Sequence, residues 1–348
     1  MKMKDPTNPL VSVCIPVYNG ASVIEDTIHS LLAQTYENIE FILVDNCSTD
    51  NTIEVVQALA GGRMKIIKND SNIGAANNWS KCVEVAQGEF VAIYHADDVY
   101  DPTIVEKAVT VFLANQDIGA VFTAVNRING SLEKIGEMNV PDDLQSKGSY
   151  DLHDILLCIL KNRTNPFMCP SFMVKKKIYE KVGKFNNVDF QYAFDLDLYM
   201  RIAEVARVGF IGERLVNYRV SKNQGSFKYK VEQTEPGELY VILDRYVVPE
   251  IINKMQINPK YLRQYQCQKD TEKYRRAVNL LRLKQFDRAK ALLWSSITSA
   301  RIEFSLQRFS IFRGMIYTLL VILFTYLGLG EWVSNVAYKI DKRKFDRI

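Results

Sequence analysis

The sequence predicts an α/β N-terminal region followed by an all-helical C-terminal extension, and three observations carry that prediction. Over the first 130 residues, short β-branched runs alternate with stretches whose apolar residues recur at three- and four-residue spacing. That rhythm reads as a sheet of parallel strands with helices on both faces. From about 131 to 230 it breaks into mixed elements, and beyond about 237 only helical patterning remains. The chain of 348 residues is 47% hydrophobic and 24% charged, an ordinary globular composition that suits one large domain with an appendage, or two domains.

In chain order, strands are expected at Val11–Pro16, Ile39–Asp45, Met64–Lys68, Phe90–Tyr94 and Ala120–Val125. Helices are expected between them at Ser22–Gln34, Asn51–Ala60, Ala75–Ala86 and Pro102–Ala114. Ser48-Thr49-Asp50 and Asp101-Pro102 are helix-start signals for two of these. A polar stretch, Gly130–Ser149, leads to a helix near 151–161, an apolar segment Pro166–Val174 and a helix near 177–182. An apolar helix Leu196–Val205 and a strand-like run Arg207–Val220 follow. After a polar hinge near Ser221–Gly237, Asn279–Ser296 places Leu280, Leu283, Ala289, Leu292 and Leu293 on one helical face, while Phe286–Ala291 hints at a helical hairpin. Gly314–Gly330 is a run of 17 residues without a charge, at the lower limit for crossing about 30 Å of hydrocarbon. Arg301, Arg308 and Arg313 precede it, and Lys339, Lys342, Arg343, Lys344 and Arg347 follow. The pattern leaves three readings open: a span, a helix lying in the membrane interface, or a buried helix of a bundle or of an oligomer formed through the helical tail.

Composition excludes several function classes. The net charge is +4, and the segment from Arg301 to Ile348, with eight Lys/Arg against four Asp/Glu, accounts for all of it. The remaining 300 residues are balanced, which argues against a nucleic-acid binder. Six scattered cysteines without a CxxC pair exclude a structural zinc site and a disulfide framework, and three histidines leave no all-histidine metal centre. The N-terminus has no apolar stretch before Pro6 and Pro9, so no signal peptide is expected and the default compartment is the reducing cytoplasm.

In an open α/β sheet, ligands bind beyond the carboxyl ends of the strands. Here those ends read Pro16-Val17-Tyr18-Asn19-Gly20, Asp45-Asn46-Cys47-Ser48-Thr49-Asp50, Asn69-Asp70-Ser71-Asn72-Ile73-Gly74 and His95-Ala96-Asp97-Asp98. Turn and cap preference alone accounts for Asp50 and Asp70. Asp97 and Asp98 are different, because adjacent carboxylates after a buried strand repel unless a cation lies between them. No GxGxxG or GxxxxGK loop follows the first strand, so a diphosphate must be held by another device. A hard divalent cation, Mg²⁺ or Mn²⁺, bound by Asp97 and Asp98 would serve.

VSVCIPVYNG, VDNCSTDNT, NIGAANNW, GEFVAIYHADD and YAFDLDLYMRIA together resemble an inverting family 2 glycosyltransferase of GT-A fold, across roughly residues 10–222. The resemblance implies a catalytic domain over 1–230, a mixed Rossmann-like sheet, and a helical region over 231–348 carrying the apolar segment 314–330. It places Pro16, Tyr18, Asn19, Asp45, Asn46, Asn72, Gly74 and Asp97 at the nucleotide-sugar donor and makes Asp97 and Asp98 the metal ligands. Asp195 becomes the general base. Four positions depart from the family pattern. Asn46 stands where a second Asp usually reads uracil, which leaves a UDP- or a dTDP-sugar open as donor. His95 replaces the first acid of the metal motif, Phe194 replaces the Glu beside the base, and Ser221 replaces a His that follows Tyr-Arg. Trp79 stands near the place of a frequent Arg. Asp197, about 200° around a helix from Asp195, is expected to be structural, and Arg219 is expected at phosphate or in a surface ion pair. The implied reaction is single-displacement transfer from a nucleoside-diphosphate sugar to a glycan or lipid-linked acceptor, in the cytoplasm at the inner face of the cell membrane. The competing reading is an inactive relative serving as a nucleotide-sugar-binding or scaffold protein.

Overall fold

The computed structural model describes residues 7–186, 188–221, 233–307, 309–333 and 335–336. Arg308, most of the polar hinge and the basic residues from Lys339 onward lie outside the described residues. Two compact units make up the chain: Met1–Ile155 with Asn165–Ser221, and Leu156–Thr164 with Lys222–Ile348.

In the first unit, strands β1 (Val11–Val17), β2 (Ile39–Asp45), β3 (Met64–Lys68) and β4 (Phe90–Ile93) alternate with helices α1 (Ile24–Leu32), α2 (Thr52–Ala60) and α3 (Ala75–Val85). These strands pair in parallel in the order β3-β2-β1-β4. Val11, Val13, Cys14 and Ile15 are all fully buried, which explains why β1 reads as a continuous apolar run: helices cover both of its faces. Beyond β4 the parallel expectation gives way to a mixed sheet. After β5 (Val99–Tyr100), α4 (Ile104–Ala114), β6 (Ile118–Ile128), β7 (Lys134–Met138) and α5 (Leu152–Asn162), whose residues from Leu156 onward belong to the second unit, the short β8 (Met173–Lys175) inserts antiparallel between β4 and β6. Then α6 (Lys176–Val182) and α7 (Phe194–Val205) lead to β9 (Arg207–Arg219), which pairs in parallel with β6. α4 begins at Ile104, two residues later than expected, after a turn in which Asp101 Oδ1 accepts from the backbone N–H of Thr103 at 2.9 Å. Against β4, Phe90 stacks on Phe112 of α4 with centroids 4.5 Å apart.

The second unit contains α8 (Glu238–Asp244), α9 (Pro249–Met255), α10 (Pro259–Arg282), α11 (Phe286–Ser295), α12 (Ser299–Gln307) and α13 (Phe309–Tyr326). Asn258 caps α10 by accepting from the N–H of Lys260 at 2.9 Å. The single helical face expected over Asn279–Ser296 gives way to the hairpin at which Phe286–Ala291 hinted. Lys284 adopts φ +58°, and Gln285 donates back to the carbonyl of Leu280 at 3.0 Å, closing α10. Leu283 is left 57% exposed at that turn, while Leu280, Ala289 and Leu293 are buried together with Val321 and Ile322 of α13. The 17-residue uncharged run is likewise interrupted: α13 stops at Tyr326, and Gly328 turns the chain with φ +78°. No helix among the described residues is long and apolar enough to cross a membrane, so the spanning alternative for 314–330 is set aside.

Candidate active site

Parallel pairing of β3-β2-β1-β4 brings the four strand ends predicted from sequence to one edge. There the loops are tied to each other by backbone bonds, including Asn46 N–H to the Val17 carbonyl at 2.8 Å and Asn69 N–H to the Asp45 carbonyl at 2.9 Å. Pro16 lies inside β1, half-buried, and Tyr18 just beyond it is 50% exposed. Asn19 sits at φ +53°, a conformation asparagine tolerates. Its Oδ1 accepts from Thr49 N–H at 2.8 Å, and its own N–H donates to Ser48 Oγ at 2.9 Å. Asp45 is buried and accepts from Ser48 N–H at 3.2 Å. The first and second strand-end loops are therefore one hydrogen-bonded shelf.

Asparagines join the second loop to the third. Asn46 Nδ2 donates to Asn72 Oδ1 at 2.8 Å, and Asn46 Oδ1 accepts from Ile73 N–H at 2.9 Å and from Asn69 Nδ2 at 3.2 Å. Asn69 also donates to Asn78 Oδ1 at 2.8 Å. Asn72 Oδ1 takes a second bond from Gly74 N–H at 3.0 Å, and Gly74, at φ +81°, leads into α3. Asn46 is thus a buried strut between loops rather than an exposed group.

The fourth strand end carries the acids. Asp98 has no exposure; its Oδ1 accepts from the backbone N–H of Arg219 at 2.7 Å, while its Oδ2 has no hydrogen-bond partner and lies 3.4 Å from His95 Nδ1. Burial, with the neighbouring charge of Asp97, pushes the Asp98 carboxyl up to about 6. Asp97 is partly exposed, and ligand atoms of His95, Asp97 and Asp98 fall within 4.8 Å of one another. An orphaned buried carboxylate oxygen beside a second carboxylate and an imidazole fits a divalent cation. Burial disfavours the charged imidazole of His95, but Asp98, Asp97 and Asp195 outweigh it and raise its pKa.

Asp195 lies in the first turn of α7 and is half-buried, with Oδ1 accepting from Leu196 N–H at 2.8 Å. Burial raises its pKa, against a hydrogen bond from Cys169 and the charge of His95. Cys169 in turn lies 3.6 Å from His95 Nε2 and accepts from Tyr199 Oη–H at 3.3 Å. His95 and Cys169 thereby connect the acid pair to Asp195. Phe194, in the place of an expected Glu, is buried edge-on to Trp79 at 5.2 Å, and Trp79 also tilts over His95 at 5.2 Å. Trp79, Phe185 and Phe194 form an aromatic wall here.

Two expectations resolve differently. Asp197 is buried in an ion pair with Arg201 at 2.8 Å, the structural place foreseen for it. Arg219 is 4% exposed, donating through Nε to the Asp97 carbonyl at 2.8 Å and pairing with the half-exposed Asp26 at 2.7 Å. It clamps the backbone beneath the acid pair. Ser221 is exposed and ends the described stretch. Sequence reasoning missed Cys169, Tyr199 and Asp26; nothing in their local patterns marks them, since each reaches the site only through tertiary packing.

The family model Glycosyl transferase family 2 matches residues 12–183. An uncharacterized glycosyltransferase of Haemophilus influenzae is 29% identical over 259 residues, covering 73% of this chain and 78% of the relative. One from Rickettsia typhi is 31% identical over 227 residues, covering 64% of this chain and 68% of the relative. A putative teichuronic acid biosynthesis glycosyltransferase of Bacillus subtilis is 42% identical over 101 residues, covering 28% of this chain and 40% of the relative. Among solved structures, S. aureus TarS 1-349 in complex with UDP-GlcNAc superposes with TM-score 0.55 at 16% identity, covering 96% of this chain and 92% of that one. A Pyrobaculum calidifontis mannosyltransferase in complex with GDP-Man and Mn²⁺ superposes with TM-score 0.55 at 18% identity, covering 97% and 90%. These two likenesses show the fold, GT-A.

Proposed function

This chain belongs to glycosyl transferase family 2, and from that premise we propose that it moves a sugar from a nucleoside-diphosphate donor to a hydroxyl of a cell-envelope or lipid-linked glycan, with inversion. The observation that carries the reading is Asp195. It is a half-buried carboxylate with a raised pKa, joined through Cys169 and His95 to the paired acids at the end of β4. A base held in such surroundings accepts a proton from an acceptor hydroxyl more readily than an ordinary surface carboxylate. The aromatic wall of Trp79 and Phe194 keeps water from its flank. A single base that deprotonates the attacking hydroxyl fits direct displacement, which inverts the anomeric centre.

The donor lies, in this reading, on the shelf formed by Pro16, Tyr18, Asn19, Asp45, Asn46, Asn72 and Gly74, with Asp97 at its diphosphate end. Asp97 and Asp98 hold Mg²⁺ or Mn²⁺; when bound, the cation supplies neutralising charge to the diphosphate. Arg219 holds the Asp97 carbonyl through its Nε and the Asp98 carboxylate through its backbone N–H, and His95 supports Asp98. Complexes of fold neighbours with UDP-GlcNAc and with GDP-Man and Mn²⁺ are in keeping with a nucleotide-sugar donor, here a UDP- or dTDP-sugar. The teichuronic acid relative is in keeping with an envelope glycan as acceptor. In this reading the catalytic region is 1–230 and an accessory helical region is 231–348.

The test is transfer by the full chain from a panel of nucleotide sugars with Mn²⁺. Asp195→Asn is expected to cut kcat by about a thousandfold or more while leaving donor Kd within about threefold. For the wild type, kcat/KM should fall on the acid side with an apparent pKa above the ordinary carboxylate value of about 4. Near-wild-type turnover by Asp195→Asn would remove Asp195 from its role.

A further inference from the structure

The helical unit contains a cavity of about 490 Å³, within the roughly 300–1,000 Å³ range of small-molecule sites. Its walls come from α8, α10, α12 and α13, and include Leu239, Tyr240, Gln264, Arg275, Arg301 and Ile311. Arg301 is only 2% exposed. Its guanidinium donates to neutral oxygens: the Ser296 carbonyl at 3.1 Å, Ser296 Oγ at 3.0 Å and Thr318 Oγ1 at 2.8 Å. Its Nε has no hydrogen-bond partner, and it makes no ion pair with a carboxylate among the described residues.

The carboxylates nearby, including half-buried Glu238 on the cavity wall, are already committed. Glu272 accepts from Gln233 Nε2 at 2.6 Å and Gly237 N–H at 2.9 Å, and pairs with Arg276 at 3.3 Å. Asp270 accepts from Gln266 Nε2 at 2.9 Å and from Thr298, and pairs with Lys273 at 3.2 Å. A second cation, Arg275, is exposed and makes no ion pair among the described residues. Gln264, 7% exposed, presents an Oε1 with no donor. Water filling the cavity could satisfy Nε and Oε1. It could not compensate a buried guanidinium, which is costly without a counter-charge.

We propose that this cavity is a second ligand site, which takes a small hydroxylated phosphate ester. Arg301 and Arg275 meet the phosphate, in the charge-assisted pairing that guanidinium makes with phosphate oxygens. A ligand hydroxyl donates to Gln264 Oε1, and Leu239, Tyr240 and Ile311 cover the carbon skeleton. Such chemistry occurs both in free glycerol phosphates and in the headgroup of phosphatidylglycerol.

The test is thermal stability and calorimetric binding of the full chain with EDTA and no nucleotide sugar, so that its result is independent of transfer activity. Glycerol 3-phosphate is expected to raise the melting temperature saturably, inorganic phosphate to do so more weakly, and glycerol not at all. Arg301→Met and Arg275→Gln are each expected to weaken Kd about tenfold or more. Saturable binding to phosphatidylglycerol vesicles but not to phosphatidylcholine vesicles, without response to glycerol 3-phosphate, would assign the headgroup as the source. Should Arg301→Met fail to fold, exposed Arg275 decides alone. Wild-type affinity in the Arg275→Gln chain, or no saturable response to either ester or to the vesicles, overturns the proposal.

Discussion

Asp98 is a carboxylate with no exposure, fixed by the N–H of Arg219 on one oxygen and left without a hydrogen-bond partner on the other. Its folded-state pKa of about 6 exceeds the free value of 3.8, so between those pH values the folded chain binds more protons than the unfolded one. Stability from this group therefore declines as pH rises from about 4 to 6, and the full penalty stands above 6. Asp98→Asn removes the charge while keeping an acceptor for Arg219. With EDTA present, this variant is expected to be more stable than wild type at neutral pH by about 1–3 kcal/mol. The advantage should disappear near pH 4. Denaturant melts of both proteins across that range check it, and parallel pH trends would refute it. The adjacent acids at the end of β4 are legible from sequence. Cys169 and Tyr199, which link His95 toward Asp195, are not, because their local sequence is that of ordinary core.

At the scale of elements, the loop after β3 shows why a sequence departure need not weaken a site. Asn46 donates to Asn72 Oδ1, which also accepts from Gly74 N–H, so flipping the Asn72 amide would sacrifice one bond to keep the other. An aspartate at 46 would set a carboxylate oxygen against that acceptor. Asn46→Asp is accordingly expected to destabilise the fold by about 1–3 kcal/mol and to weaken donor binding, because the Asn72–Gly74 turn loosens. Asn72→Ala in the Asn46→Asp background should recover part of that loss by removing the clash; a double variant no better than the single one would refute the coupling. The same loops show how far local signals reach. The first four strands and their helices were legible because each buried strand and each amphipathic helix carries its own periodicity. β8, three residues long, was not, since inserting it antiparallel between β4 and β6 is a tertiary choice that no local pattern records. The hairpin turn at Lys284 was legible only as a hint at Phe286–Ala291, because apolar spacing continues smoothly across it and the positive φ that makes the break belongs to the folded backbone.

At the scale of the whole molecule, each unit has a hydrophobic core made of its own residues. One is built on β1, β2, β4, α1 and α4, including Val13, Ile15, Leu43, Phe90 and Phe112. The other gathers Ala277, Leu280, Leu281, Ala289 and Leu293 with Val321, Ile322 and Val333. Units with their own cores melt independently unless a large apolar interface couples them, so two calorimetric transitions are expected in place of one. The shelf and the acid pair belong wholly to the first unit, while the Arg301 cavity belongs wholly to the second. A nucleotide sugar with Mn²⁺ should therefore raise only one transition, and glycerol 3-phosphate with EDTA only the other, each by an amount set by ligand concentration over Kd. A single transition that shifts as a whole with either ligand would show that the two units unfold as one cooperative body.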